Sequence, residues 1–197
     1  MAYEEIKSSG ITADTPKNIL FGAGTSHKGF KYTTNAWNFA ESLIGATQGG
    51  SKFSIVPEIS DIEVDGALVK VKGLAVKTGE TATLEVNFVE LTPEILAMAT
   101  LGENGTASAM TGYSEIKSKA RISEGDYVQN LAYVGKTLEG KPIIVIFDNA
   151  LCTSGLEIEG KNKESGVVKA TFECYASLDG DLESLPYHIY YPTPVSG

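Results

Sequence analysis

Residues 80–90 restrict the fold more than any other stretch of this sequence. Ala82, Leu84, Val86 and Phe88 alternate with Thr81, Thr83, Glu85 and Asn87. Successive side chains on a strand point to opposite faces, so this stretch can bury one face and wet the other only as a β-strand. Residues 167–176 repeat the pattern. Val168, Ala170, Phe172, Cys174 and Ala176 share one face, and Lys169, Thr171, Glu173 and Tyr175 share the other. Shorter strand candidates lie at 53–56, 61–64, 67–72, 113–117, 126–134, 155–159 and 187–191. Residues 142–147, Pro-Ile-Ile-Val-Ile-Phe, are apolar without alternation, the signature of a strand covered on both faces. Leu138-Glu-Gly-Lys141 and Val64-Asp-Gly66 read as hairpin turns.

A single helix is expected at 92–101. Thr92 can cap it, Pro93 suits its first position, and Glu94 complements the positive end of the helix dipole. Gly102 is placed to end it in a left-handed conformation. The helix should cover the apolar face that carries Ala82, Leu84, Val86 and Phe88. Residues 22–52 show no sustained period, apart from a weak helix signal at 36–44 capped by Asn35. They read as a long extended loop carrying Phe30, Tyr32, Trp37 and Phe39. Long loops in compact domains are commonly functional, and these four aromatics are the candidates for contact with another subunit. The loop is expected to be mobile in a free subunit. The expected architecture is one all-β domain over residues 1–197, a sandwich or barrel with one flanking helix.

A search for chemistry finds little. His27 and His188 are far apart, and neither has a companion at metal-ligand spacing. Cys152 and Cys174 fit no zinc motif and read as buried hydrophobes. Gly22-Ala-Gly24-Thr-Ser-His27 begins like a dinucleotide fingerprint, but a histidine occupies the third glycine position and no amphipathic helix follows. These glycines read as a flexible exit from a strand. Ser154 lacks the Gly-x-Ser-x-Gly elbow. Glu157 and Glu159 share a strand face, which reads as a solvated edge against Leu156 and Ile158. No catalytic residue, cofactor or metal is expected, and the chain does not read as an enzyme.

The formal net charge of −9 opposes binding to nucleic-acid phosphate, which depends on Lys and Arg. It suits a surface that DNA slides past. No apolar run is long enough for a membrane span. The start, Met-Ala-Tyr-Glu-Glu-Ile, lacks the basic and apolar segments of a signal peptide, so synthesis in a cytoplasm is expected.

Residues 45–73 read GATQGGSKFSIVPEISDIEVDGALVKVKG, followed by the long strand and LTPEIL at 91–96; the end runs LPYHIYYP at 185–192. Across nearly the whole chain this resembles the major tail tube proteins of phages and prophages of Gram-positive bacteria. The resemblance implies a β-rich subunit with one flanking helix. Six such subunits close into a ring whose strands join into an inner barrel, and rings stack into a tube for ejected DNA. It further implies a virion protein made in the host bacterial cytoplasm, with tape measure, tail tip and terminator proteins as partners. DNA would pass without specific binding. Nothing at the C-terminus resembles the immunoglobulin-like domain that some such proteins carry. On a closed barrel, the candidates for the lumen are Thr81, Thr83, Glu85, Asn87, Thr171 and Glu173. Lys169 is the awkward member of that face, which is otherwise expected to be net negative. The alternative reading is a monomeric, lectin-like β-sandwich.

Overall fold

The computed structural model describes residues 9–107, 110–160, 162–163 and 165–193; the acidic N-terminal start lies outside them. A helical turn, α1 (Thr15–Asn18), leads into β1 (Leu20–His27), β2 (Tyr32–Thr33) and β3 (Ala36–Trp37). Two long strands follow, β4 (Thr47–Asp61) and β5 (Ala75–Phe88), then the helix α2 (Pro93–Thr100). After it come β6 (Glu103–Thr106), β7 (Ser114–Lys117), β8 (Val128–Thr137) and β9 (Pro142–Cys152). β10 (Ile158–Glu159), β11 (Val167–Cys174) and β12 (Tyr187–Tyr190) complete the order.

The main sheet is antiparallel, in the order β1-β8-β9-β11-β5-β4, with β10 added to β11 and β12 to β9. The alternation of residues 80–90 becomes burial. Ala82, Leu84, Val86 and Phe88 are enclosed, while Thr81, Thr83, Glu85 and Asn87 stay partly solvated on the other face. β11 behaves alike, with Val168, Ala170, Phe172 and Cys174 buried. The sheet curls around these side chains. Tyr133 on β8 and Phe53 on β4 are separated by three strands in the sheet order, yet their rings lie 6.0 Å apart. The fold is all-β, as the alternation required.

β8 and β9 are covered twice. Leu131, Tyr133, Val145 and Phe147 face the main core, whereas Ala132, Val134, Ile144 and Ile146 form a second cluster with Phe30 and Trp37. That double cover is why residues 142–147 show no alternation. The 138–141 turn joins β8 to β9 as expected, with Gly140 at φ +80° and Thr137 N–H donating to the Lys141 carbonyl over 2.9 Å.

Several expectations change. The extended loop at 22–52 does not exist with those bounds, because β1 occupies its start and β4 its end. What remains, residues 28–46, lies against its own sheet instead of reaching outward. The weak helix at 36–44 is absent. Thr34 and Asn35 both take positive φ, 51° and 61°, and close the β2–β3 hairpin between Thr33 and Ala36. Positive φ at two consecutive residues is the type I′ requirement, and it removed the proposed cap. Gly22 and Gly24 sit inside β1, not at an exit from it, where the pairing with β8 slips between Phe21 and Thr25. A Cβ on Gly24 would stand 2.4 Å from the Tyr133 ring, so a glycine lets that ring close against β1. Of the candidate strands 61–64 and 67–72, all but Asp61 lie in the loop between β4 and β5, and 53–56 is a fragment of the much longer β4. Of 155–159, only Ile158–Glu159 is strand, and both residues are exposed.

α2 forms as the sequence indicated. The Ile95 N–H donates to Thr92 Oγ1 over 3.2 Å, with Pro93 in the first turn. Its left-handed terminal residue is Leu101, one position before the expected Gly102. Gly102 matters instead for close packing, since a Cβ there would lie 2.8 Å from Ile116 Cγ2. Ile95 and Ala99 enter the cluster that contains Ala82, Leu84, Val86 and Phe88. Leu96 is only half-buried, so Ile95 is the anchor. Ile95→Ala is expected to cost about 2–5 kcal/mol, read as a lower denaturant midpoint with an unchanged m-value. A cost below about 0.5 kcal/mol would show that the helix is not held by this contact.

Candidate assembly surfaces

The register of three strands assembles one polar face. On β11, Thr171 stands opposite Glu85 and Glu173 opposite Thr83, with Lys169 opposite Asn87. On β4, Lys52 stands opposite Glu85, Ser54 opposite Thr83 and Val56 opposite Thr81. The six residues proposed for a lumen, Thr81, Thr83, Glu85, Asn87, Thr171 and Glu173, therefore share one continuous surface. One of its carboxylates has a lysine partner that the alternation alone did not reveal. Lys52 Nζ lies 2.7 Å from Glu85 Oε1, and Lys169 lines a cleft with Glu157 and Glu159. The face carries charges of both signs, Lys52 and Lys169 with Glu85 and Glu173. The missed contributor was Lys52, because β4 was cut too short in the sequence to show which of its residues face Glu85.

The four aromatic candidates divide. Phe30 is fully buried in the second cluster and stacks on Trp37, with centroids 4.9 Å apart and planes 6° from parallel. Phe30 is thus a core residue and not a contact for another subunit. Trp37 is half-buried, packed between Phe30, Tyr32 and Tyr190. Tyr32 and Phe39 keep substantial exposure.

The surface that the sequence reading missed is an arm. Beyond the pair Val56–Thr81, β4 and β5 continue as a two-stranded ribbon to Asp61–Ala75, closed by residues 62–74. Val56, Ile59, Ile62, Val64, Leu68, Val69, Val71 and Val76 along it are all exposed, Leu68 at 99% and Val69 at 78%. The ion pair Lys70–Asp61, at 2.6 Å, ties the closing loop to the end of β4, and Lys77–Glu80, at 2.9 Å, runs along β5. The signal was present as apolar residues with no partner face, but Pro57 and the Asp65-Gly66 turn broke the segment into apparent short strands.

The remaining candidates for chemistry stay dispersed. His27 is buried with Thr25 and Ser42 as partners, and His188 Nε2 is 3.4 Å from Asp148 Oδ1 at the surface. Among the described residues, no group of three or more His, Cys, Asp or Glu side chains could hold a metal ion. No helix among them is long and apolar enough to cross a membrane. Both cysteines are buried thiols. Burial, reinforced by Asp148 and Glu80, pushes the Cys174 thiol up to about 12, which suppresses its thiolate.

No family model matches the sequence, and no curated protein matches it. The solved structures that are similar over most of the chain include two of gene transfer agent particles. One is the virion of a native gene transfer agent particle, with TM-score 0.42 and 10% identity over 79% of this chain and 92% of that one. The other is the tail of an empty gene transfer agent particle, refined helically with C6 symmetry. Its TM-score is 0.42 and its identity 10%, over 81% of this chain and 96% of that one.

Proposed function

We propose that this chain is a tail tube subunit that self-assembles into stacked hexameric rings, forming the conduit through which phage DNA reaches the host. The arm carries the reading. An isolated two-stranded ribbon is marginal in water, and contiguous exposed apolar side chains mark a surface built for a partner. A second copy of the chain is the partner this reading supplies. The stretch GGSKFSIVPEI…EVDGA, which carries the sequence resemblance, is β4 together with the tip of the arm.

The polar face on β4, β5 and β11 is the proposed lumen wall. DNA carries about one negative charge per 1.7 Å of axis, so a net positive wall would hold it. Pairing Lys52 with Glu85 offsets the one lysine of β4 while leaving the wall hydrated. Tape measure, tail tip and terminator proteins are the further partners of such a subunit, and the assembled virion tail is its location.

The lumen assignment has its own test. Glu85→Lys with Glu173→Lys turns four balanced charges into four positive ones on each subunit. Tails should still assemble, and DNA ejection should slow at low salt and recover as ionic strength rises. An unchanged ejection rate at low salt would place this face away from the DNA.

A further inference from the structure

We infer that His27 is an acid-sensitive latch holding residues 28–44 over the outer face of β8 and β9. The inference rests on the subunit alone and stands whether or not the chain builds a tube. His27 is 2% exposed. Its Nδ1 lies 2.9 Å from Ser42 Oγ, and its Nε2 lies 2.8 Å from Thr25 Oγ1. The Ser42 hydroxyl donates its proton to the Asn38 carbonyl over 2.6 Å. Ser42 Oγ must therefore accept from His27 Nδ1–H, and Nε2 must accept from the Thr25 hydroxyl. Both ring nitrogens are satisfied in the neutral form, and the tautomer is fixed.

The latch joins the two ends of the segment. Lys28 N–H donates to the Ser42 carbonyl over 2.8 Å, and Ile44 N–H to the Ser26 carbonyl over 3.1 Å. Gly29 and Phe30 N–H donate to the Gln129 and Asn130 carbonyls. Phe30 and Phe39 rings flank the imidazole at 5.0 and 6.2 Å. Beneath the segment lie Ala132, Val134, Ile144 and Ile146.

Among the described residues, no carboxylate partners the ring that could offset the charge of an imidazolium. β1 offers Thr25, and β8 offers Ala132 as the paired residue. Within the segment, the Lys28 ammonium is paired with Glu94 of α2, while Lys31 and Glu41 are exposed. The Glu90 carboxylate accepts from the Ala46 N–H. Burial accordingly holds the His27 pKa below the ordinary imidazole value. The sign follows: the closed segment binds the proton more weakly than the open one. Closure is at full strength above about pH 6.5, the ordinary pKa. It weakens as pH falls toward the depressed value, by up to about tenfold per pH unit for one proton.

The test uses the full chain below the concentration at which it assembles, with His188→Gln so that one imidazole titrates. Amide exchange at Lys28, Gly29, Phe30 and Ile44, corrected for intrinsic pH dependence, reports the opening constant. It should rise up to tenfold per unit between pH 6.5 and 5 and become flat in His27→Gln. Should His27→Gln fail to fold, imidazole NMR on the parent decides. An Nδ1–H tautomer at neutral pH, with the ring titrating where the rise in exchange levels off, supports the latch. Corrected exchange that stays flat from pH 6.5 down to the pH at which His27 titrates overturns it.

Discussion

Replacing residues 57–80 with Asn-Gly is expected to leave a folded subunit that no longer assembles. Val56 and Thr81 are directly paired, so a two-residue type I′ turn can close the shortened hairpin at that register. The removed ribbon contributes none of the fully buried cluster formed by Ala82, Leu84, Val86, Phe88 and Phe172, so thermal unfolding should move by only a few degrees. Assembly should be lost outright. Full burial of an aliphatic side chain against a neighbour is worth roughly 1.5–3 kcal/mol, and a tenfold change in affinity needs about 1.4 kcal/mol. Two knobs such as Leu68 and Val69 would thus account for several orders of magnitude in each contact. Leu68→Asp with Val69→Asp is the milder version, with the same expected direction. Rings or tubes of normal appearance from the shortened chain would remove the arm from the assembly.

Phe30→Ala is expected to be the most damaging single substitution outside the main core. Phe30 is 1% exposed and is the only fully buried large side chain that residues 28–44 place on the sheet. Truncating a buried Phe costs about 3–5 kcal/mol, which for a chain of this size lowers Tm by roughly 6–20 °C. The loss should also be local. Trp37 loses the ring it stacks on, so its fluorescence should shift to the red well below the global transition. A Tm within about 2 °C of the parent would mean that the segment is not anchored through this side chain.

How much of this was legible depended on whether a residue's partner lay on its own strand pattern. The faces of β5 and β11 could be read because Ala82 to Phe88 and Val168 to Cys174 alternate without interruption. The double cover of β9 could be read because Ile144 to Phe147 do not alternate. The cap on α2 was local, a Thr-Pro pair, and local signals survive folding. The segment 28–46 was misread because its order comes from a distant surface. Phe30 is buried by Ala132, Val134, Ile144 and Ile146, about a hundred residues away, and no periodicity within the segment can register that. The arm was misread for the opposite reason. Its apolar side chains stay exposed among the described residues, so Ile59, Ile62 and Leu68 followed no burial pattern. The polar face was half legible. The alternation named Glu85 and Glu173, but only the register with β4 placed Lys52 against Glu85.

The most direct measurement is sedimentation velocity of the purified chain across a wide concentration range, with electron microscopy of the fast-moving material. Self-assembly through the arm predicts a concentration-dependent shift from the single subunit to large species, seen as six-fold rings and stacked tubes. The chain shortened at 57–80 should remain a single subunit throughout. A full-length chain that sediments as one subunit at every concentration, indistinguishable from the shortened one, would contradict the account.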